Sequence, residues 1–204
     1  MKFIPNNIYH IYNQGNNRQK IFFNDADYLI FLHLYKKLFL AIADTIAWCL
    51  MPNHFHFMVY TDERCDKVIK QGGIIIDPIT NSVRKLLSGY ARIFNNTNGR
   101  SGSLFRQKTK AKCLSDIKAN ISNLYCTQDY YINCFHYIHQ NPLRAKLVTH
   151  LEDWNFSSFK DYAGFRDGSI CKKELAKMYC LYSPDTFLKQ SYELMPERII
   201  QYLK

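Results

Sequence analysis

No stretch of this 204-residue chain stays apolar for long enough to span a bilayer, which excludes a helical membrane anchor. A secretory leader is also missing, because Met1-Lys2-Phe3-Ile4-Pro5-Asn6-Asn7 breaks after two apolar residues, and a cytoplasmic location is expected. There is no C-x-x-C pair. The cysteines, at 49, 65, 113, 126, 134, 171 and 180, are odd in number and scattered, which argues against a disulfide framework or a zinc ribbon and for reduced thiols that mostly pack. Repeats and low-complexity segments are absent as well. Acidic residues are in short supply: 17 Asp and Glu against 27 Lys and Arg leave a formal charge of +10. Such a field attracts polyanions, and for a cytoplasmic protein nucleic acid comes first. What is present, 47% hydrophobic and 22% charged residues, is globular, and the length suits one folded unit with additions.

Ile8-Tyr9-His10-Ile11-Tyr12, β-branched and aromatic, reads as a strand that ends in the turn-forming Asn13-Gln14-Gly15-Asn16-Asn17. From the capping residues Asn24 or Asp25 to Ala41, Tyr28, Leu29, Phe31, Leu32, Leu34, Tyr35, Leu38 and Phe39 recur at helical spacing. Thr45–Met51 and His54–Tyr60 are short strands joined by Pro52-Asn53, a connection suited to a hairpin. A second amphipathic helix covers about Thr80–Asn95, and Ser103–Leu114 reads as a basic strand. The order β-α-β-β-α-β predicts an α+β, ferredoxin-like fold, with two helices on one face of a four-stranded antiparallel sheet and the other face free. A third helix spans Thr127 to about Asn141 and stops at Pro142, since proline disfavours helical geometry in the residue before it. A short helix beginning at Pro142 and helical stretches near Lys172–Tyr179 and Pro196–Leu203 follow.

In His54-Phe55-His56-Phe57-Met58-Val59-Tyr60, side chains alternate between faces. Phe55, Phe57 and Val59 suit the helix-covered face, which puts His54 and His56 side by side on the other. Two imidazoles at i and i+2 can hold one metal ion with a third ligand from elsewhere. Two ordinary half-exposed strand histidines give the same pattern, so the motif needs its surroundings.

Those surroundings carry a resemblance. Met51-Pro52-Asn53-His54-Phe55-His56 resembles the M-P-N-H-x-H segment of the REP-associated branch of the HUH single-tyrosine transposases. Tyr9 to Asn17 followed by Ile21-Phe22 is similar to that family's first strand and loop, and Ser103-Leu104-Phe105-Arg106-Gln107 to the segment before its last strand. Tyr137-Ile138-His139-Gln140-Asn141-Pro142-Leu143-Arg144-Ala145 resembles its Y-I-x-x-N-P-(V/L)-R-A signature, and Trp154–Tyr162 its W-S-S-Y region. The motifs run in order over about residues 8 to 162. The resemblance implies a transposase catalytic domain at 1–163, with the nucleophile helix at about 127–141 and a C-terminal helical extension at 164–204.

It implies Tyr137, one of fifteen tyrosines, as nucleophile. His54, His56 and Asn141 would hold Mg²⁺ or Mn²⁺, the two nitrogen ligands making Mn²⁺ acceptable. Helical phase puts Tyr137 and Asn141 one turn apart, with Tyr131, Phe135 and Ile138 as the neighbouring apolar stripe and His136 and His139 on the other side. A tyrosine hydroxyl titrates near 10 and needs help to lose its proton. The implied reaction is cleavage of single-stranded DNA beside a hairpin through a 5′-phosphotyrosine, with strand transfer, by a monomer or a homodimer. Two positions depart from the family: Asn141 stands where relatives often carry Gln, one methylene longer, and Gln14 where they commonly carry Arg, a role Arg18 is placed to take. The basic residues Arg84, Lys85, Arg92, Arg100, Arg106, Lys108, Lys110, Lys112 and Arg144 are candidates for phosphate contacts, with a solvated helix face as the other reading of Arg84, Lys85 and Arg92. Competing functions are a relaxase or replication-initiator nuclease, against which the lone downstream tyrosine speaks, and a non-catalytic or domesticated DNA-binding protein on the same sheet.

Overall fold

In a computed structural model, residues 2–71, 73–116 and 126–203 are described. The chain runs β1 (Asn7–Gln14), α1 (Asp25–Phe39), β2 (Asp44–Met51), β3 (His54–Thr61), a small hairpin of β4 (Ile69–Gln71) and β5 (Ile74–Ile76), α2 (Pro78–Thr97), β6 (Lys110–Cys113) and α3 (Thr127–Arg144). Four short helices follow: α4 (Phe159–Tyr162), α5 (Lys173–Cys180), α6 (Pro184–Ser191) and α7 (Glu197–Leu203). The main sheet is antiparallel in the order β2-β3-β1-β6, the ferredoxin-like arrangement. The β4–β5 hairpin and α6 had no counterpart in the sequence reading, and the basic strand shrinks from Ser103–Leu114 to four residues.

Local chemistry explains where the helices begin. Asn24 and Asp27 form a reciprocal capping box at the start of α1. Asp77 accepts from the Thr80 N–H at 2.8 Å and Pro78 occupies the first turn of α2, so that helix starts two residues before the expected Thr80. Both helices pack on one sheet face. Tyr35 of α1 stacks on Phe57 of β3 at 3.9 Å with 4° between the rings, and Phe31 meets Phe55 at 5.2 Å. Leu29, counted with the buried stripe, is instead 60% exposed. Its position lies at the edge of the apolar arc of α1.

The opposite face, expected to be free, is covered. Helix α3 roofs it, and Ile46, Cys49, Met51 and Met58 of the sheet join Cys134, Phe135, Tyr137 and Ile138 in a second core. The outer side of α3 is covered in turn by the C-terminal segment. His136 Nδ1 meets Ser191 Oγ at 3.2 Å, His139 Nε2 meets Ser158 Oγ at 2.7 Å, and the Gln140 amide donates to the carbonyls of Ser191 and Glu193, each at 2.9 Å. Every residue from Cys134 to Pro142 is therefore buried. A helix covered on all sides needs apolar and hydrogen-bonded polar residues all round, which blurs its amphipathic pattern.

Helix α3 also runs through Pro142 to Arg144, three residues past the expected stop. Only the last turn loses a hydrogen bond, because the missing proline N–H would have met Ile138. Beyond it the end is closed by a Schellman motif: Lys146 N–H donates to Leu143 at 3.0 Å and Leu147 N–H to Pro142 at 3.0 Å, with Lys146 at φ 56°.

The loop after β1 is clamped onto the β2–β3 turn. Ile21 N–H donates to Pro52 at 2.7 Å, Gly15 N–H to Asn53 at 2.8 Å, and Asn16 N–H to Leu104 at 2.9 Å. A side chain at Gly15 would collide with the Gln19 carbonyl oxygen and approach Ile21 Cγ2 to 2.9 Å. Gly15→Ala is therefore expected to cost about 1–3 kcal/mol, lowering Tm by several degrees in a thermal melt. An unchanged Tm would show that the loop can yield.

Burial pushes His136 down to about 4 and His139 well below its usual range, the second aided by the neighbouring His136. Below about pH 6.5 the unfolded chain takes up protons that these rings refuse in the fold, so stability falls as pH drops from there toward 4. The slope is about 1.4 kcal/mol per pH unit for each ring still neutral in the fold. Urea melts at pH 7.5 and 5 should show the midpoint falling; equal midpoints would contradict neutral buried imidazoles.

Candidate active site

The centre of the roofed face is built by three elements. In the β1–β3 register Tyr12 faces His56 and Gln14 faces His54, so His54, His56, His10 and Tyr12 share one side while Phe55, Phe57 and Val59 enter the helix-covered core. The His54 and His56 rings lie 4.9 Å apart and nearly perpendicular. Tyr137, from α3, presents its ring at 81° to His56, 5.7 Å away, and at 80° to His10, 6.0 Å away. Tyr130, two turns earlier on α3, packs against Tyr202 at 5.0 Å.

Hydrogen bonds fix these groups. Asn53 donates its amide N–H to the Arg18 carbonyl at 3.3 Å, which leaves its Oδ1 to accept from His54 Nδ1 at 2.6 Å. His54 therefore carries its proton on Nδ1 and keeps a lone pair on Nε2. Asn141 donates to the Tyr137 carbonyl one turn back at 2.8 Å, which turns its Oδ1 away from that carbonyl. The Asn141 side chain reaches His54, a contact that raises the imidazole's proton affinity against the larger lowering by burial, and His54 ends at about 4. The shorter amide thus reaches one of the two histidines. His56, 4% exposed, has Nδ1 at 2.9 Å from His10 Nε2, and its Nε2 is buried with no hydrogen-bond partner. Burial first, then His54 and His10, hold His56 well below the usual histidine range. All three imidazoles are neutral at pH 7, the state that ligates metal.

Among the described residues no group of three or more His, Cys, Asp or Glu gathers around one point. A cation here would have two imidazole nitrogens, an amide oxygen and otherwise solvent or substrate oxygens. The orphaned Nε2 of His56 and the free lone pair of His54 fit that donor set, a better match to Mn²⁺ than to Mg²⁺. Tyr137 is buried, 4% exposed, and burial pushes its hydroxyl up to about 12; Cys134 adds to the rise while the Arg144 guanidinium works against it. Left alone, this phenol stays protonated.

The basic residues divide into groups. Arg84, Arg106 and Lys108 line one groove of about 610 Å³ between α2 and the 103–109 segment, floored by Val83, Leu87, Leu104 and Ala111. This groove lies on the Ile11 side of β1, away from the histidines. Lys85 and Arg92 lie exposed on α2, Arg18 on the clamped loop and Arg144 at the end of α3. Lys110 stands over the Tyr12 ring at 5.7 Å, beside the site. Arg100 is partly committed, donating to Gln19 at 2.7 Å above Phe94. Lys112 is not placed for phosphate: it donates to the Tyr202 carbonyl and lies over that ring at 5.0 Å. His10 had drawn no attention as a strand residue next to two tyrosines, although its alternation with Tyr12 already put it on the histidine face.

No protein-family model and no curated protein matches the sequence. Among solved structures, the chain is similar to a REP-associated tyrosine transposase bound to a REP hairpin, with a TM-score of 0.55 and 17% identity over 84% of this chain and 94% of that one. At that identity the likeness is one of fold: this chain shares the architecture of that structure.

Proposed function

We propose that this protein is a transposase that cuts single-stranded DNA beside a hairpin and rejoins it through Tyr137. The observation that carries the reading is the convergence, from separate elements, of Tyr137 on His56 and of Asn141 on His54. The neighbour of the same fold was solved with a hairpin, which supports hairpin DNA as the substrate here.

His54 Nε2, His56 Nε2 and Asn141 Oδ1 would hold Mn²⁺ or Mg²⁺, whose charge polarises a phosphoryl group and eases ionisation of a nearby hydroxyl. The rest falls to the chain's own groups. Tyr137 Oη attacks phosphorus and its proton passes to solvent, while the P–O3′ bond breaks and the departing O3′ takes a proton from solvent, leaving a 5′-phosphotyrosine and a free 3′-hydroxyl. A phenol at about 12 makes this slow without added positive charge, and Arg144 supplies part of it. Attack of a 3′-hydroxyl on the phosphotyrosine restores the diester and the tyrosine, so no external energy source is needed. Arg18 and Lys110 flank the site and suit phosphates near the scissile bond. Arg84, Arg106 and Lys108, around an apolar floor on the other side of the sheet, suit the hairpin stem or an unpaired base. A non-catalytic hairpin-binding protein is the second reading, favoured by the 4% exposure of Tyr137.

Incubation with stem-loop DNA and Mn²⁺, followed by denaturing gels, separates the two. Wild type and Tyr130→Phe should form a covalent protein–DNA adduct, Tyr137→Phe none, and His54→Ala or His56→Ala none while still binding the hairpin. Adduct with Tyr137→Phe would name the wrong nucleophile; hairpin binding with no cleavage in wild type would favour the second reading. Affinity should also fall steeply with salt, through release of counterions. The triple variant Arg84→Ala, Arg106→Ala, Lys108→Ala should flatten that log–log slope by about 2–3, and an unchanged slope would remove the groove from the DNA path.

A further inference from the structure

We infer that His10 is a positioning residue for the metal site: it accepts the Nδ1 proton of His56 and thereby turns the His56 Nε2 lone pair toward the cation. The inference rests on the metal-dependent reading above. His10 is fully buried on β1, next to the strand that carries the histidine pair, and its Nε2 lies 2.9 Å from His56 Nδ1 with 22° between the rings. In a neutral imidazole one nitrogen carries the proton and the other a lone pair. Two orders are open to the pair. If His10 donates, His56 holds its proton on Nε2 and cannot ligate through that atom. When His56 donates, its Nε2 is bare and His10 carries its own proton on Nδ1; these are the two ring nitrogens of the pair that are buried without a hydrogen-bond partner, and a cation would engage the first of them.

The contrast with His54 makes the role specific. His54 is fixed through Nδ1 by an amide oxygen that can only accept, so its tautomer is set. His56 has no such partner at Nδ1; it has an imidazole, which can take either part and must itself be held. Tyr12 lies along one side of the His10 ring at 4.7 Å and 25°, and Tyr137 meets it edge-on at 6.0 Å. The two ligand rings are thus each steered through Nδ1, the arrangement by which groups behind a metal ligand set its orientation and basicity.

Mn²⁺ titration by calorimetry tests this without reference to cleavage. His10→Phe, which keeps a ring but no acceptor, should weaken Mn²⁺ binding by about 10–100-fold, while His10→Gln, whose amide can take the place of Nε2, should stay within about threefold of wild type. Hairpin affinity in both should match wild type. Unchanged Mn²⁺ affinity in His10→Phe, or equal loss in His10→Gln, overturns the proposal. Should His10→Phe fail to fold, long-range ¹H–¹⁵N spectra of the metal-free wild type decide: a proton on His56 Nδ1 with a coupling to His10 Nε2 supports it, and a proton on His56 Nε2 overturns it. Loss of Mn²⁺ binding in His54→Ala with none in His10→Phe defeats this inference alone, whereas a wild type that binds no Mn²⁺ defeats the metal reading with it.

Discussion

The pairing of β3 against β1 at the centre of the sheet is the constraint on which the rest depends. Side chains in a strand alternate with period two, so a slip of one residue would send His54 and His56 into the aromatic layer of α1 and α2 and turn Phe55 and Phe57 toward α3. Both faces are buried, which makes such a slip costly twice over. Tyr35 stacked on Phe57 and Phe31 against Phe55 hold the register from one side. On the other, the His56–His10 contact joins the same two strands through their side chains.

The register is pinned at its open end by the clamp between the Gly15–Phe22 loop and the Pro52-Asn53 turn. That clamp also reaches the chemistry. The Arg18 carbonyl orients the Asn53 amide, the Asn53 oxygen orients His54, and His54 meets Asn141 from the roofing helix. A surface loop and the buried helix α3 are thereby connected through three polar contacts. Neutrality of the histidines follows from the same burial: α3 excludes water from the imidazoles, and the loss of solvation that keeps them unprotonated also keeps Tyr137 from ionising. In the proposed reaction, one environment would thus prepare ligands for a cation and make Tyr137 dependent on one.

The C-terminal segment explains why α3 differs from an ordinary surface helix. His136, His139 and Gln140 would be expected on a solvated side, yet they bond to Ser191, Ser158 and the carbonyls of Ser191 and Glu193. The helix is held from both sides, and Tyr137 and Asn141 with it. Lys112 shows the same segment redirecting charge, since α7 takes up a lysine that would otherwise have joined the basic surface.

What the sequence by itself determined is what depends on neighbours along the chain. Alternation in His54–Tyr60 puts both histidines on one face and the 3.6-residue turn sets Asn141 above Tyr137, two local periodicities that hold whatever packs against them, while the succession of elements points to the ferredoxin-like sheet. The tertiary structure alone decided the rest. Pro142 stays within α3 because a Schellman closure after Arg144 completes the turn it weakens, and the second sheet face is covered because α3 has its own apolar partners there. His10 gains its meaning from a residue 46 positions away, and Asn141 from His54, 87 positions before it in sequence. Contacts of that kind arise from the register and docking of whole elements, which no periodicity within a single segment encodes.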